Sequence, residues 1–272
     1  REQYTPFFEA LGQYSNYAHG THVAGIAAAG NPAARVLVAR LTFDYRVIPE
    51  LPTEELARAW AKSIREYVDY FRTHGVRVVN MSWRFAPEHE ERALELHNAG
   101  GTPEERKALA RRFYDIGANA LREAFQSAPE ILFVAAAGNA DEDNRFTDSA
   151  PGSFDLPNLI TAAAVDRGGD EAAFTSYGKA EIYANGYEVE SFLPGGERSR
   201  LSGTSMAAPQ IVNLAGKLLA VFPALTTAQL REAILSGAEE RTVGEGKRIM
   251  LLHPARSFEI AERLAGGTTG RD

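Results

Sequence analysis

Along the chain, short and almost uninterrupted apolar runs alternate with longer stretches in which apolar residues return every third or fourth position. The runs are Arg35 to Leu41 (RVLVARL), Val76 to Trp83 (VRVVNMSW), Ile131 to Ala137 (ILFVAAA) and Leu159 to Val165 (LITAAAV). Strands of this character are buried on both faces, as in a parallel sheet covered by helices. Between them, Leu56, Ala59, Trp60, Ile64, Tyr67, Val68 and Phe71 mark a helix over Thr53 to Thr73, which Gly75 stops. After Gly100-Gly101, Thr102 can cap a second helix, Pro103 suits its first position, and Glu105 completes a capping box. Its buried stripe is Leu109, Phe113, Ile116, Ala120, Leu121 and Phe125. The charged piece Pro87 to Asn98 reads as a solvated surface helix. The alternation predicts an α/β fold, three-layer α/β/α with a mostly parallel central sheet. One domain is expected over residues 1–265, with a flexible tail at 266–272.

Composition narrows the partners. A chain of 272 residues, 44% hydrophobic and 24% charged, is ordinary globular material. No apolar run is long enough to span a membrane, and the first residues lack the basic-then-apolar order of a signal peptide. A formal charge of −7 argues against nucleic acid, because phosphate contacts need a clustered positive surface. The absence of cysteine removes disulfides, thiol nucleophiles and thiolate metal sites together. His74, His89, His97 and His253 lack metal-ligand spacing, and the glycine pairs fit no nucleotide-binding string, so no metal or other cofactor is expected.

Two strings are hard to explain by packing. In Ser202-Gly203-Thr204-Ser205-Met206-Ala207-Ala208-Pro209, small residues crowd a serine just before the apolar helical run Ile211, Leu214, Ala215, Leu218 and Leu219. There Ser205 is either a simple N-cap or a nucleophile set where free N–H groups and the helix dipole favour a developing anion. In His19-Gly20-Thr21-His22-Val23-Ala24-Gly25, an imidazole precedes a small-residue helix and is expected to project from its start. It is either a surface residue or a general base at neutral pH. A third string, Ala135-Ala136-Ala137-Gly138-Asn139, ends a buried strand with an amide that serves as a turn residue or as a donor to an oxyanion.

In this order the three strings resemble the subtilisin-like serine peptidases, the subtilase family, which carry H-G-T-H-V-A-G, a strand ending in A-A-G-N, and G-T-S-M-A-x-P. The resemblance covers about Tyr17 to Leu235 and extends to Val79-Asn80-Met81-Ser82, similar to the family's substrate-pairing strand, and to Ala173-Phe174-Thr175-Ser176-Tyr177-Gly178. It implies a subtilisin-like fold and a serine endopeptidase acting on peptides or proteins through a Ser-His-Asp triad. By the same resemblance His19 is the base, Ser205 the nucleophile and Asn139 the oxyanion donor beside the Ser205 N–H. His22 packs inside. Ser82, Trp83, Arg84, Ala137 and Gly138 would bind substrate, and a secreted or periplasmic location is favoured.

The chain also departs from the family. The triad aspartate belongs upstream in a D-S/T-G string at the end of a central strand, and no such string is present among the eighteen residues before His19. Without that strand its neighbours would expose unpaired backbone and apolar faces. Three readings follow: the aspartate lies on an N-terminal segment or second chain, the protein is an impaired binding or scaffold relative, or it is a zymogen held by a pro-segment. Asp44 is the in-chain candidate for a replacement acid, against a plain turn aspartate. Where the family has Ser-x-Gly, this chain has Ser82-Trp83-Arg84, so Arg84 either narrows the cleft or meets an acidic side chain. Asp141, Glu142 and Asp143 would instead favour a basic one. The short link Ala27 to Ala34 replaces a loop that binds calcium in many family members, so that site is expected to be absent.

Overall fold

A computed structural model describes residues 4–41, 43–244 and 246–266. The first half contains α1 (Thr5–Ala28), α2 (Glu54–Thr73), β1 (Val78–Met81), α3 (Pro87–Leu96), α4 (Pro103–Gln126) and β2 (Leu132–Ala136). The second contains β3 (Leu159–Val165), β4 (Ile182–Asn185), β5 (Val189–Phe192), β6 (Arg198–Leu201), α5 (Thr204–Val221), α6 (Thr227–Ser236), β7 (Glu239–Val243), β8 (Lys247–Leu251) and α7 (Pro254–Gly266). Gly266 thus closes α7, and residues 267–272 of the expected tail lie outside the described residues.

The main sheet runs in the order β1-β2-β3-β4-β8-β7, parallel except for β7, and β5 with β6 forms a separate hairpin. The central strands are buried throughout because each face has its own helix layer. On β2, Leu132, Val134 and Ala136 turn to α5 and α6, where Ile211, Leu214, Leu218, Leu230 and Ile234 meet them. The alternate residues Phe133 and Ala135 turn to α2 and α4, against Ile64, Val68, Leu121 and Phe125. Phe125 stacks on Phe133 with ring centres 4.1 Å apart. The result is the expected three-layer α/β/α arrangement.

Local chemistry sets the helix ends. Thr53 caps α2 by accepting the Leu56 N–H at 3.2 Å, and α4 carries the capping box of Thr102 and Glu105. The charged segment from Pro87 is less solvated than its composition suggests: α3 buries Ala93 and Leu94 against α4. Charge on one helix face does not prevent burial of the other.

One expected strand is absent. Arg35 to Leu41 is extended in its side-chain alternation, with Leu37, Ala39 and Leu41 packed on the core while Val36 and Val38 are 55% and 77% exposed, but among the described residues no strand pairs with it. The hydroxyl of Tyr67 tethers it through the Arg40 carbonyl at 2.9 Å. A strand is a ladder as well as a pattern, and β1, at the sheet edge, is paired only with β2 among the described residues.

Candidate active site

Asn139 and Ser205 meet where β2 ends and α5 begins. Gly203, with φ of 153°, is the N-cap of α5, so Ser205 is the second helical residue and not the cap. In that first turn the Met206 N–H donates to the Gly203 carbonyl at 3.0 Å, and no protein acceptor takes the Ser205 N–H among the described residues. Buried Thr204 joins the two segments: its hydroxyl accepts the Gly138 N–H at 3.1 Å and donates to Asn139 Oδ1 at 2.9 Å. The Thr204 N–H also donates to Asn139 Oδ1, at 2.8 Å. With its oxygen held twice, the exposed Asn139 amide turns Nδ2 outward beside Gly203, where a built Cβ would lie 3.2 Å from that nitrogen. No protein acceptor takes Nδ2 among the described residues. Such an N–H is set to donate to an oxygen that acquires charge next to Ser205.

Ser82, just beyond β1, is interlocked with Ser205. The Ser82 hydroxyl donates to the Ser205 carbonyl at 2.7 Å, and the Ser205 hydroxyl donates to the Ser82 carbonyl at 3.2 Å. The first bond has a reason in the helix. The Ser205 carbonyl should accept the N–H four residues on, but that residue is Pro209, which has none.

His19 lies well inside α1, not at its start, because the helix begins at Thr5. One turn later and on the same face, His22 is fully buried with Nε2 3.1 Å from the Ser199 carbonyl, and the Ser191 hydroxyl donates to the His22 carbonyl at 2.8 Å. Gly25 permits this close approach to the β5–β6 hairpin, since a Cβ there would be 2.4 Å from Ser191 Oγ. The amide of Asn213 on α5 donates to the carbonyls of Ala27 and Ala29 at 2.9 and 2.7 Å, and Gly30 then meets Lys217. Contacts advance in step along both chains, so α1 and α5 run in the same direction. His19 lies nine residues before Ala28 and Ser205 eight before Asn213; at about 1.5 Å per residue both helices return to the same end of the molecule. No hydrogen bond joins His19 to Ser205, whose hydroxyl is turned to Ser82. Burial, and secondarily His22, lowers the pKa of His19, which favours the neutral imidazole.

The other expected positions divide. Trp83 commits its ring to packing against Trp60 and Phe43. Ala137 is buried, and its carbonyl accepts the amide of Asn144 at 2.7 Å. Asp44 is a turn carboxylate: Arg46 binds it through Nη2 at 2.7 Å and through its backbone N–H, the Glu50 N–H adds a bond, and its pKa falls well below the carboxylate range chiefly through Arg46. Ser176, quoted above without a role, backs the Gly138–Glu142 loop: its N–H donates to the Gly138 carbonyl at 2.9 Å and its hydroxyl accepts from Ala140 at 3.3 Å. Nothing short of the fold could reveal that pairing, since 38 residues separate Ser176 from Gly138.

Fold and site together define a class: α/β proteins with a mostly parallel sheet and a serine, Ser205, in the first turn of a helix beside the amide that ends a central strand. The model of the subtilase family matches residues 10–253, and the chain belongs to that family. Subtilisin DY of Bacillus licheniformis is 29% identical over 224 residues, covering 81% of this chain and 70% of that one. Subtilisin E of Bacillus subtilis is 30% identical over 225 residues, again across 81% of this chain but only 50% of its own length. Among solved structures, a cold-adapted subtilisin-like serine proteinase superposes with a TM-score of 0.62 at 23% identity, covering 88% of this chain and 75% of that one. The prenylagaramide maturation protease PagA gives 0.64 at 21%, covering 90% and 82%. The fold is subtilisin-like. Among the described residues no helix is long and apolar enough to cross a membrane.

Proposed function

We propose that this chain is the catalytic body of a serine endopeptidase whose triad aspartate arrives on a polypeptide segment entering as a strand beside β1. Ser205 Oγ attacks the peptide carbonyl while its proton passes to His19, and Asn139 Nδ2 with the Ser205 N–H holds the oxyanion. The imidazolium then returns the proton to the leaving amine, and water releases the acyl group by the same route. Substrate backbone lies along Ser82–Arg84 and beside Ala137–Gly138. The Ser82 carbonyl holds the nucleophile's hydrogen until His19 accepts it. The observation that carries this reading is the doubly anchored Asn139 amide, which leaves one donor free beside a serine in the first turn of α5. The open edge of β1 and the inward Leu37, Ala39 and Leu41 support the entering strand. A location outside the cytoplasm belongs to the same proposal.

The intact protein, treated with a fluorophosphonate and mapped by peptide mass, is expected to carry the label on Ser205. A folded preparation free of any pro-segment that takes no label refutes the reading. An impaired binding relative is the second reading, favoured by the Ser205 hydroxyl pointing to Ser82 and by the lack of any carboxylate bonded to His19 among the described residues. It predicts peptide binding without turnover, unchanged in Ser205→Ala. A pro-segment seated over the cleft would give the same silence, relieved by its removal.

A further inference from the structure

We propose that Arg84 makes this peptidase select an acidic side chain, Asp or Glu, at the residue whose carbonyl Ser205 attacks; the inference rests on the peptidase reading above and names its substrate class. Two backbone bonds, Phe85 N–H to Ala150 carbonyl at 3.0 Å and the reverse at 3.1 Å, zip the strip after β1 to the loop after β2. The bridge is antiparallel and brings the Arg84 side chain within reach of Ser149. The aliphatic stem of Arg84 lies on Gly138, where a Cβ would be 3.3 Å from Arg84 Cδ. Gly138 is the neighbour of Asn139, and Ser82, two residues before Arg84, is the residue locked to Ser205. The guanidinium therefore stands in the space that a side chain beside the reacting carbonyl would enter.

Its bonding is incomplete. Nη1 is 3.5 Å from Ser149 Oγ and 3.9 Å from Glu142 Oε2, and no protein group takes Nε or Nη2 among the described residues. The side chain is 29% exposed, so the group is desolvated in part and open on one side. A guanidinium presents a planar fork that fits two carboxylate oxygens, which makes an acidic side chain the complement. The nearby acids do not reverse this sign. Asp143 is bound by Arg145 through both the side chain and the backbone, and Glu142, 41% exposed, holds Arg84 only at the distance just given. His89 senses the same charge: burial lowers its pKa first and Arg84 lowers it further.

The test uses the full chain and short peptides that end at the varied residue, so that the chain end sets the register. Affinity is measured by competition for Asp, Glu, Asn, Phe and Lys endings. Asp and Glu endings are expected to bind at least about tenfold more tightly than Asn, the usual scale of a charge-assisted bond. Arg84→Gln should erase that preference and Arg84→Glu should turn it toward Lys, with circular dichroism reporting an unchanged fold. Binding of the Asp ending, and not the Asn ending, should raise the His89 pKa read by NMR. Equal affinities in the unaltered chain, or a preference that survives Arg84→Gln in folded protein, overturn the proposal. Fluorophosphonate labelling keeps the two readings apart. Label without acidic preference sinks the Arg84 assignment alone, whereas acidic preference without label sinks the peptidase reading and with it the selection at a cleaved bond, leaving only recognition of an acidic side chain by Arg84.

Discussion

Replacing Ser82 with alanine probes the contact on which the site's frame depends. The hydroxyl serves two partners, donating to the Ser205 carbonyl at 2.7 Å and accepting the Asn80 amide at 3.0 Å. Ser82 is 7% exposed, so water cannot readily replace it. The Ser205 carbonyl has no helical donor because of Pro209, and leaving such an acceptor unpaired costs about 1–3 kcal/mol. Asn80 would lose the partner of its nitrogen while its buried oxygen is already unpartnered, adding about 1 kcal/mol. The expected loss is about 2–4 kcal/mol in equilibrium denaturant unfolding. The mechanism is isolated by a double-mutant cycle with Pro209→Ala. Alanine restores an N–H at position 209, so Ser82→Ala should cost about 1 kcal/mol less in that background. An identical cost in both backgrounds would falsify the idea that the serine hydroxyl stands in for the helix bond that proline removes.

Thr204→Val keeps the shape but frees Asn139 from one of its two anchors and leaves the buried Gly138 N–H unpaired. Loss of an oxyanion donor costs about 10²–10³-fold, so partial disorientation should lower kcat about tenfold with little change in KM; a change confined to KM contradicts the assigned role. For His19, burial depresses the folded pKa below the unfolded value, so its contribution to stability is complete above the ordinary histidine pKa of about 6.5 and is lost as pH falls from there toward the folded pKa. Comparing unfolding of the unaltered chain with His19→Gln across that interval should show the unaltered chain losing ground on acidification, and a gain there refutes the assignment of a half-buried neutral ring.

Much of the architecture could be read from residue order. The continuous apolar runs at 131–137 and 159–165 became the buried β2 and β3, since two-sided burial leaves no room for polar alternation. Thr102 and Glu105 announced α4 because a capping box acts over four residues. Local pattern failed where the outcome depended on a neighbour. Arg35 to Leu41 carries strand residues yet forms no ladder, and α1 extends back to Thr5 where the strings alone suggested a start at His19.

The same division holds for the site. The sequence by itself determined which groups are candidates for chemistry, a serine in a small-residue string before a helix, an imidazole in a second string and an amide at a strand end, because those identities follow from short-range composition. Only tertiary structure decided their state. It turned the Ser205 hydroxyl to Ser82, anchored Asn139 through Thr204, tied Asp44 to Arg46 and set Arg84 between Gly138, Ser149 and Glu142. Those arrangements join residues up to 123 positions apart, and hydrogen-bond direction and desolvation arise only when the folded chain brings such groups into contact.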